Sequence, residues 1–331
     1  MLIHPEQKNK PIFFIIFGIL LLIGFVVLFL NNTFFSAPQK ESEPERFIVQ
    51  MGINNSDKIK NDLYEEGFIK SKFGFGIALG CFNCVQDGAY KISKSMSAWE
   101  IAKIIKEDPY MKWVVIKEGY RKEQIGEIFV KELGWSKEKY DEFIKETNSI
   151  SVLDEGIFFP DTYLIPVDEL PCDIVKRLYT RFNEKFEPFS KEAMSQNIKW
   201  TTLIKIASLV EREAGGKADM PLVAGILWNR LLQEMKLDID ATIQYARGDK
   251  GNGWWAPISV ADKKINSPYN TYMYNGLPIQ PIANPGIDAI SAVLYPEKTD
   301  CLYYLHDSNR NIHCAKNYEE HKENIEKYLK N

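Results

Sequence analysis

The chain has 331 residues, 45% of them hydrophobic, which is enough for one large domain or two modest ones with ample core. Its net charge is -4 and its 41 basic residues are scattered, so a nucleic-acid-binding surface is not expected. Five cysteines (Cys81, Cys84, Cys172, Cys301 and Cys314) are too few and too dispersed for a disulfide framework.

The first predicted element is a membrane span. Pro11 to Leu30 is a run of 20 residues without a charge or a strongly polar side chain. As a helix it is about 30 Å long, the thickness of one hydrocarbon core. A cleaved signal peptide is the rival reading. The run exceeds a usual signal core, however, and no small-x-small site lies between Asn31 and Ala37, which favours an uncleaved anchor. Lys8 and Lys10 precede the span, so residues 1–10 are expected in the cytoplasm and everything after Asn31 outside it.

Residues 31–45 are polar and proline-bearing and read as a tether. Residues 46–110 read as a small α/β region. It holds a strand at Phe47–Gln50, a helix from Ser56 to Gly67 and a strand at Ala89–Ile92. A further helix runs from Ser97 to Asp108, opened by a Ser97/Glu100 capping box. Cys81 and Cys84 form a lone CxxC, open to a local disulfide or to two free thiols.

Residues 111–331 form the larger region. It opens on a strand at Trp113–Ile116, followed by helices at Lys122–Leu133 and Lys137–Thr147. Phe158 to Tyr163 leads a loop into a strand, and a helix from Asp173 is expected to stop before Pro188. A helix rich in apolar residues then ends at Glu211-Arg212-Glu213, with Gly215 and Gly216 as the stop signal. Asp219 is placed to cap the next helix, which turns Val223, Ile226, Leu227 and Leu231 inward. Residues 248–286 are irregular. The end is a hairpin (Leu302–Leu305 with Asn311–Cys314) and a charged helix, Tyr318–Leu329. Symmetric pairing of that hairpin sets Leu305 opposite Cys314, which leaves Cys301 about 13 Å away and too far for a disulfide. Strands and helices intersperse without a βαβ rhythm, so the expected class is α+β.

The Glu211/Glu213 helix end carries the sharpest chemistry. Leu203, Ile206, Ala207 and Val210 define its buried stripe. At about 100° per residue the two glutamates leave the helix on opposite flanks, so at most one can line a given cleft. A carboxyl at a helix C-terminus beside an apolar stripe has its protonated form favoured, as a general acid requires. Two solvated helix-end charges are the plainer reading.

A set of motifs in order decides between them. They are Lys117-Glu118-Gly119-Tyr120, Phe159-Pro160-Asp161-Thr162-Tyr163, Ala207 to Glu213, and Val223 to Leu231. Then come Leu237 to Tyr245, Ser267 to Tyr272, Gly276-Leu277-Pro278 and Pro281 to Gly286. Together they resemble the YceG/MltG-like family of membrane-anchored endolytic peptidoglycan transglycosylases, over about residues 47–328. The resemblance implies a LysM-like subdomain at 46–110 and a catalytic domain after it. It also implies Glu213 as the catalytic residue, with Glu211 as its neighbouring carboxylate.

The implied reaction cuts glycan strands between MurNAc and GlcNAc without water and leaves 1,6-anhydro ends. An internal hydroxyl held at the anomeric carbon removes the need for the second carboxylate of ordinary glycosidases. Candidate substrate-binding residues are Glu211, Asn229, Arg230, Asp240, Thr242, Tyr269, Asn270 and Tyr272. For Arg230 a structural pairing with Glu211 or Asp240 is slightly preferred, and for Trp254-Trp255 packing outweighs sugar stacking. His313 matches a family histidine, but in a changed context, His313-Cys314-Ala315. Ile279-Gln280 replaces the family's common Pro-Gly.

The partners implied are glycan strands, the cytoplasmic membrane and peptidoglycan synthases. No metal or cofactor motif occurs. A hydrolysing muramidase and a non-catalytic peptidoglycan-binding scaffold are the alternatives.

Overall fold

The structure, a computed structural model, describes residues 10–52, 55–81 and 84–330. Lys8 and most of the expected cytoplasmic tail lie outside the described residues, as do Phe82 and Asn83 of the CxxC segment.

The chain is mixed α+β and divides into two compact units, one of residues 1–113 with 164–168, the other of residues 114–163 with 169–331. In the first unit, helix α1 (Lys10–Leu30) is long and apolar enough to cross a membrane. Its side chains are exposed from Phe13 to Leu30, and the helical path continues to Phe35 through one π-helical turn, Asn31–Phe35. Then follow β1 (Glu45–Val49), α2 (Ser56–Glu65), α3 (Lys72–Leu79), β2 (Gly88–Ile92) and α4 (Ala98–Ile105). β1 and β2 pair antiparallel, Phe47 opposite Tyr90, and head a four-stranded sheet. β3 (Met111–Val115) and β4 (Thr162–Pro166) complete the sheet order β1-β2-β3-β4. Phe47, Leu63, Phe68, Phe75, Ile92, Ile101 and Ile105 fill the core beneath. The Ser97 capping box forms with both of its hydrogen bonds. Cys81 and Cys84 are joined as a disulfide.

Residues 31–45 differ from a free tether. The Gln39 N–H donates to the Lys94 carbonyl at 3.0 Å, and the Ser93 hydroxyl donates to the Ser42 carbonyl at 2.6 Å. The chain is tied down by hydrogen bonds that composition does not encode. The sequence pattern does not signal α3, because its Lys72–Leu79 segment carries two glycines and no polar face.

The second unit holds α5 (Lys122–Leu133), α6 (Lys137–Thr147), α7 (Pro171–Ser195), α8 (Trp200–Glu213) and α9 (Met220–Leu232). Then come α10 (Asp240–Arg247), α11 (Ile287–Leu294), the hairpin β5 (Tyr303–His306) and β6 (Ile312–Ala315), and α12 (Tyr318–Leu329). α7 runs straight through Pro188. Phe182, Phe186 and Ala193 continue one buried face on both sides of it, and the two phenylalanines meet Trp200. That packing outweighs the backbone hydrogen bond that proline removes.

The hairpin corrects the expectation for Cys301 and Cys314, which form a disulfide with Cα atoms 5.8 Å apart. Two causes combine. Tyr304, not Leu305, lies opposite Cys314. Cys301 also precedes the strand, where the Leu302 N–H already bonds to the Ala315 carbonyl, so a straight-strand ruler does not apply to it. Asp219 precedes α9 without capping it through its side chain.

A buried polar knot locks the loops of this unit. The Glu155 carboxyl is fully buried and accepts from the Lys122 N–H at 3.0 Å, at the start of α5, and from the Asn284 carboxamide at 2.6 Å. Asn284 also accepts from the Phe158 N–H at 2.8 Å, and its amide nitrogen reaches the Tyr120 carbonyl. Burial, with Glu123 adding to it, pushes the Glu155 carboxyl up to about 8. A carboxyl raised on folding stabilises the protein fully below its unfolded value, about 4.3. That contribution is lost progressively as the pH rises to about 8. Denaturation midpoints of the wild type should therefore decline over this window, and Glu155→Gln, which mimics the protonated form, should flatten the decline. An unchanged slope in the variant would contradict the assignment.

Candidate active site

The apolar stripe of α8 fixes where its last turn points. Leu203, Ile206, Ala207 and Val210 are fully buried. The three residues that follow then diverge around the axis, as successive helical positions must. Glu211, Arg212 and Glu213 each meet different partners.

Glu211 turns toward the loop before α11. Its Oε2 accepts the Gly286 N–H at 3.0 Å. Glu118 flanks the same spot: a Cβ at Gly286 would sit 2.8 Å from Glu118 Cγ and 3.6 Å from Glu211 Oε2, so glycine lets the loop approach both acids. Burial raises the Glu211 carboxyl, with Glu118 adding to it, and the Gly286 N–H counteracts.

Arg212 lies with its guanidinium 4.0 Å from the centre of the Trp255 ring, and its Nε is buried without a hydrogen-bond partner. Burial depresses the Arg212 guanidinium, while Glu211 and Glu213 support its charge at longer range. Trp254 does the matching thing nearby. Arg121 lies between it and Tyr245, at 4.4 and 4.0 Å from the ring centres.

Glu213 is half-buried. Its Oε2 accepts the Tyr304 hydroxyl from β5 at 2.7 Å, and the Ala241 N–H in the first turn of α10 also donates to the carboxylate. Burial raises its pKa; Tyr304 lowers it, Asp240 raises it, and the Ala241 N–H and Arg212 lower it. The balance is upward. Tyr304 is raised well above the phenol range by burial and by Glu213. The hydroxyl therefore stays protonated and donating.

Asp240, whose charge acts on Glu213, is exposed and accepts the Tyr272 hydroxyl at 2.5 Å, while Lys263 Nζ reaches that hydroxyl at 3.0 Å. Lys263 also stands 3.8 Å from Asp240. Burial and the bond to Asp240 raise the Tyr272 phenol.

The other sequence candidates have their polar groups engaged by the protein. Thr242 is fully buried and bonds to the Ile239 carbonyl and the Thr271 hydroxyl. Asn270 donates to the carbonyls of Lys263 and Ile265 and accepts from the Tyr272 N–H, so it shapes the loop that presents both side chains. Tyr269 packs on Tyr245 at 4.7 Å between ring centres. Asn229 donates to the Thr299 and Cys301 carbonyls. Arg230 donates to the carbonyls of Leu302 and Leu237 and pairs with neither Glu211 nor Asp240. His313 stacks on Tyr328 at 3.6 Å and faces Asp307.

Sequence reasoning missed three groups around the end of α8, two of them bonded to Glu213. Tyr304 and the Ala241 N–H are its donors, and their proximity depends on tertiary packing. The third is His306, whose Nε2 lies 3.3 Å from Asp219 Oδ2. Gly215 is the contact that makes this fit. A Cβ there would meet Asp219 Oδ2 at 2.9 Å and the His306 ring at 3.0 Å. The elbow after α8 therefore uses glycine for close approach, since Ala214 caps the helix in extended conformation and Gly216 is fully extended.

Residues 48–327 match the YceG-like family. An endolytic murein transglycosylase of Bacillus subtilis (strain 168) is 31% identical over 300 residues, 84% of this chain and 80% of that protein. An endolytic murein transglycosylase of Streptococcus pneumoniae (strain D39) is 28% identical over 321 residues, 85% of this chain and 58% of that protein. A solved structure of a putative yceG-like protein from Listeria monocytogenes superposes with a TM-score of 0.59 at 25% identity. It covers 86% of this chain and 99% of its own.

Removing the Tyr304 hydroxyl takes away a bond that favours the Glu213 carboxylate. In Tyr304→Phe the Glu213 carboxyl should titrate at higher pH than in the wild type, measured by carbon NMR of labelled glutamate. A lower or unchanged titration point would contradict the geometry.

Proposed function

The chain belongs to the YceG-like family, and on that premise we propose that it is an endolytic peptidoglycan lytic transglycosylase with Glu213 as its catalytic acid and base. The observation that carries the reading is the state of Glu213. It is a half-buried carboxyl held upward in pKa, with one oxygen fixed by Tyr304 and the N-terminus of α10 alongside.

The chemistry needs one group in two states. Protonated Glu213 donates to the glycosidic oxygen as the bond from the MurNAc anomeric carbon to GlcNAc breaks. The carboxylate left behind accepts the proton of the MurNAc C6 hydroxyl as that oxygen bonds to the anomeric carbon. The proton returns to Glu213, no water is consumed, and a 1,6-anhydro ring closes. Burial and Asp240 favour the acid before cleavage, whereas the Tyr304 and Ala241 donors steady the carboxylate after it. Asp240, open to solvent and linked to Tyr272 and Lys263, is suited to stabilise the positive charge that develops on the sugar ring. Glu211, Thr242, Tyr269, Asn270, Asn229 and Arg230 would shape or support the cleft.

α1 would be an uncleaved anchor in the cytoplasmic membrane, with the body outside it. The two disulfides fit an oxidising, extracytoplasmic setting. Residues 46–110 would correspond to the family's LysM-like subdomain. The partners are then nascent glycan strands, the bilayer and the synthases that extrude the strands during wall assembly.

Glu213→Gln should keep its thermal midpoint and lose at least about a hundredfold in glycan cleavage, the scale of general acid–base catalysis. Full activity in that variant would remove Glu213 from the mechanism. Activity should also fall as the pH rises through the raised Glu213 value, because the first step uses the protonated form. Asp240→Asn removes a charge that raises Glu213, so the residual activity should show its alkaline limb at lower pH. A limb moved to higher pH would contradict the assigned coupling.

A further inference from the structure

Among its described residues the smaller unit carries an exposed apolar surface, and the end of α1 lies directly against it. The strongly apolar run stops at Leu30, and the chain winds on through Asn31–Phe35. α3 packs backbone against that turn, since a Cβ at Gly74 would overlap the Phe34 carbonyl. The Phe34 ring meets Phe73 edge-on at 6.1 Å, and the Phe35 ring stacks on Trp99 at 5.4 Å. Lys70 Nζ donates to the Ser36 hydroxyl at 2.9 Å, which tightens the same junction. Despite these contacts, Phe73 is 70% exposed, Trp99 51% and Ile77 48%. Phe73 and Ile77 are four residues apart on α3 and so share one face.

We propose that Phe73, Ile77 and Trp99 seat the smaller unit in the interfacial layer of the bilayer. The proposal rests on the reading of α1 as a membrane span. Phe34 lies four residues beyond Leu30, about 6 Å further at helical rise. The headgroup layer outside the hydrocarbon core is about 5–8 Å deep on each side. The rings packed on Phe34 and Phe35 therefore fall at headgroup depth, where aromatic side chains partition. Lys70 and Lys72, both exposed, flank the apolar face and suit anionic headgroups. The turn at Asn31–Phe35 is then a rigid collar that holds this unit at a fixed height.

The test uses the full chain in nanodiscs of phosphatidylethanolamine and phosphatidylglycerol, in a Cys172→Ser background that leaves both disulfides intact. Nitroxides are placed singly through Phe73→Cys, Ile77→Cys, Leu22→Cys in α1, and Asn309→Cys at the exposed hairpin turn. Collision rates with oxygen, which favours lipid, and with a water-soluble nickel chelate are compared at each site. The proposal expects labels at 73 and 77 to favour oxygen over nickel by at least about threefold relative to 309, approaching label 22. Labels at 73 and 77 that match 309 while 22 remains in lipid would overturn the interfacial seat and leave the span standing. Labels at 73 and 77 shielded from both reagents would overturn it in favour of a protein cover, such as a second copy of the chain. Water access at 22 as well would overturn the span and the seat together.

Discussion

The arrangement of the larger unit depends on how one carboxyl is contained. Glu213 sits where an apolar helix ends, half out of water, against two hydrogen-bond donors and a neighbouring negative charge. Burial and Asp240 pull its proton on; Tyr304 and the Ala241 N–H make its loss tolerable. A group balanced in this way can exchange roles within one catalytic cycle. The elements around it can be understood as what brings those four influences together. The stripe of α8 sets the direction, the Gly215 elbow admits Asp219 and His306, α10 presents its first turn, and β5 delivers the phenol.

Behind this centre the irregular segments are held by buried polar side chains. Glu155 and Asn284 tie together the starts of three chain segments, and Thr242, Thr271 and Asn270 fix the loop that carries Lys263 and Tyr272. Such groups are tolerable in a core only when their bonding is satisfied. Several residues that looked like sugar ligands thus spend their hydrogen bonds on the protein. Their hydrogen bonds serve the loops, whereas Asp240 stays exposed and accepts the Tyr272 hydroxyl.

Much of this was legible in the sequence where local rules govern. The α8 stripe, the Ser97 capping box and the apolar length of α1 each follow from spacing or composition. The divergence of Glu211 and Glu213 follows from helical geometry alone. The failures share a cause in tertiary packing. α7 crosses Pro188 because Phe182 and Phe186 before it and Ala193 beyond it share one buried face, and α3 forms from a glycine-bearing stretch because Phe34 and the core press on it. The Cys301–Cys314 disulfide escapes a straight-strand ruler because the register places Tyr304 opposite Cys314 and Cys301 precedes β5. Tyr304 lies 91 residues from Glu213, and no periodicity joins them. The proposed acid rests on the order of motifs, since helical geometry alone does not choose between Glu211 and Glu213.

The central claim is that Glu213 closes an internal ring without using water. The direct measurement is to digest peptidoglycan strands with the protein in water enriched in heavy oxygen and weigh the new MurNAc ends. The account predicts anhydro ends lighter than reducing ends by one water and free of the label. Reducing MurNAc ends that carry the heavy oxygen would contradict it and assign the protein to hydrolysis instead.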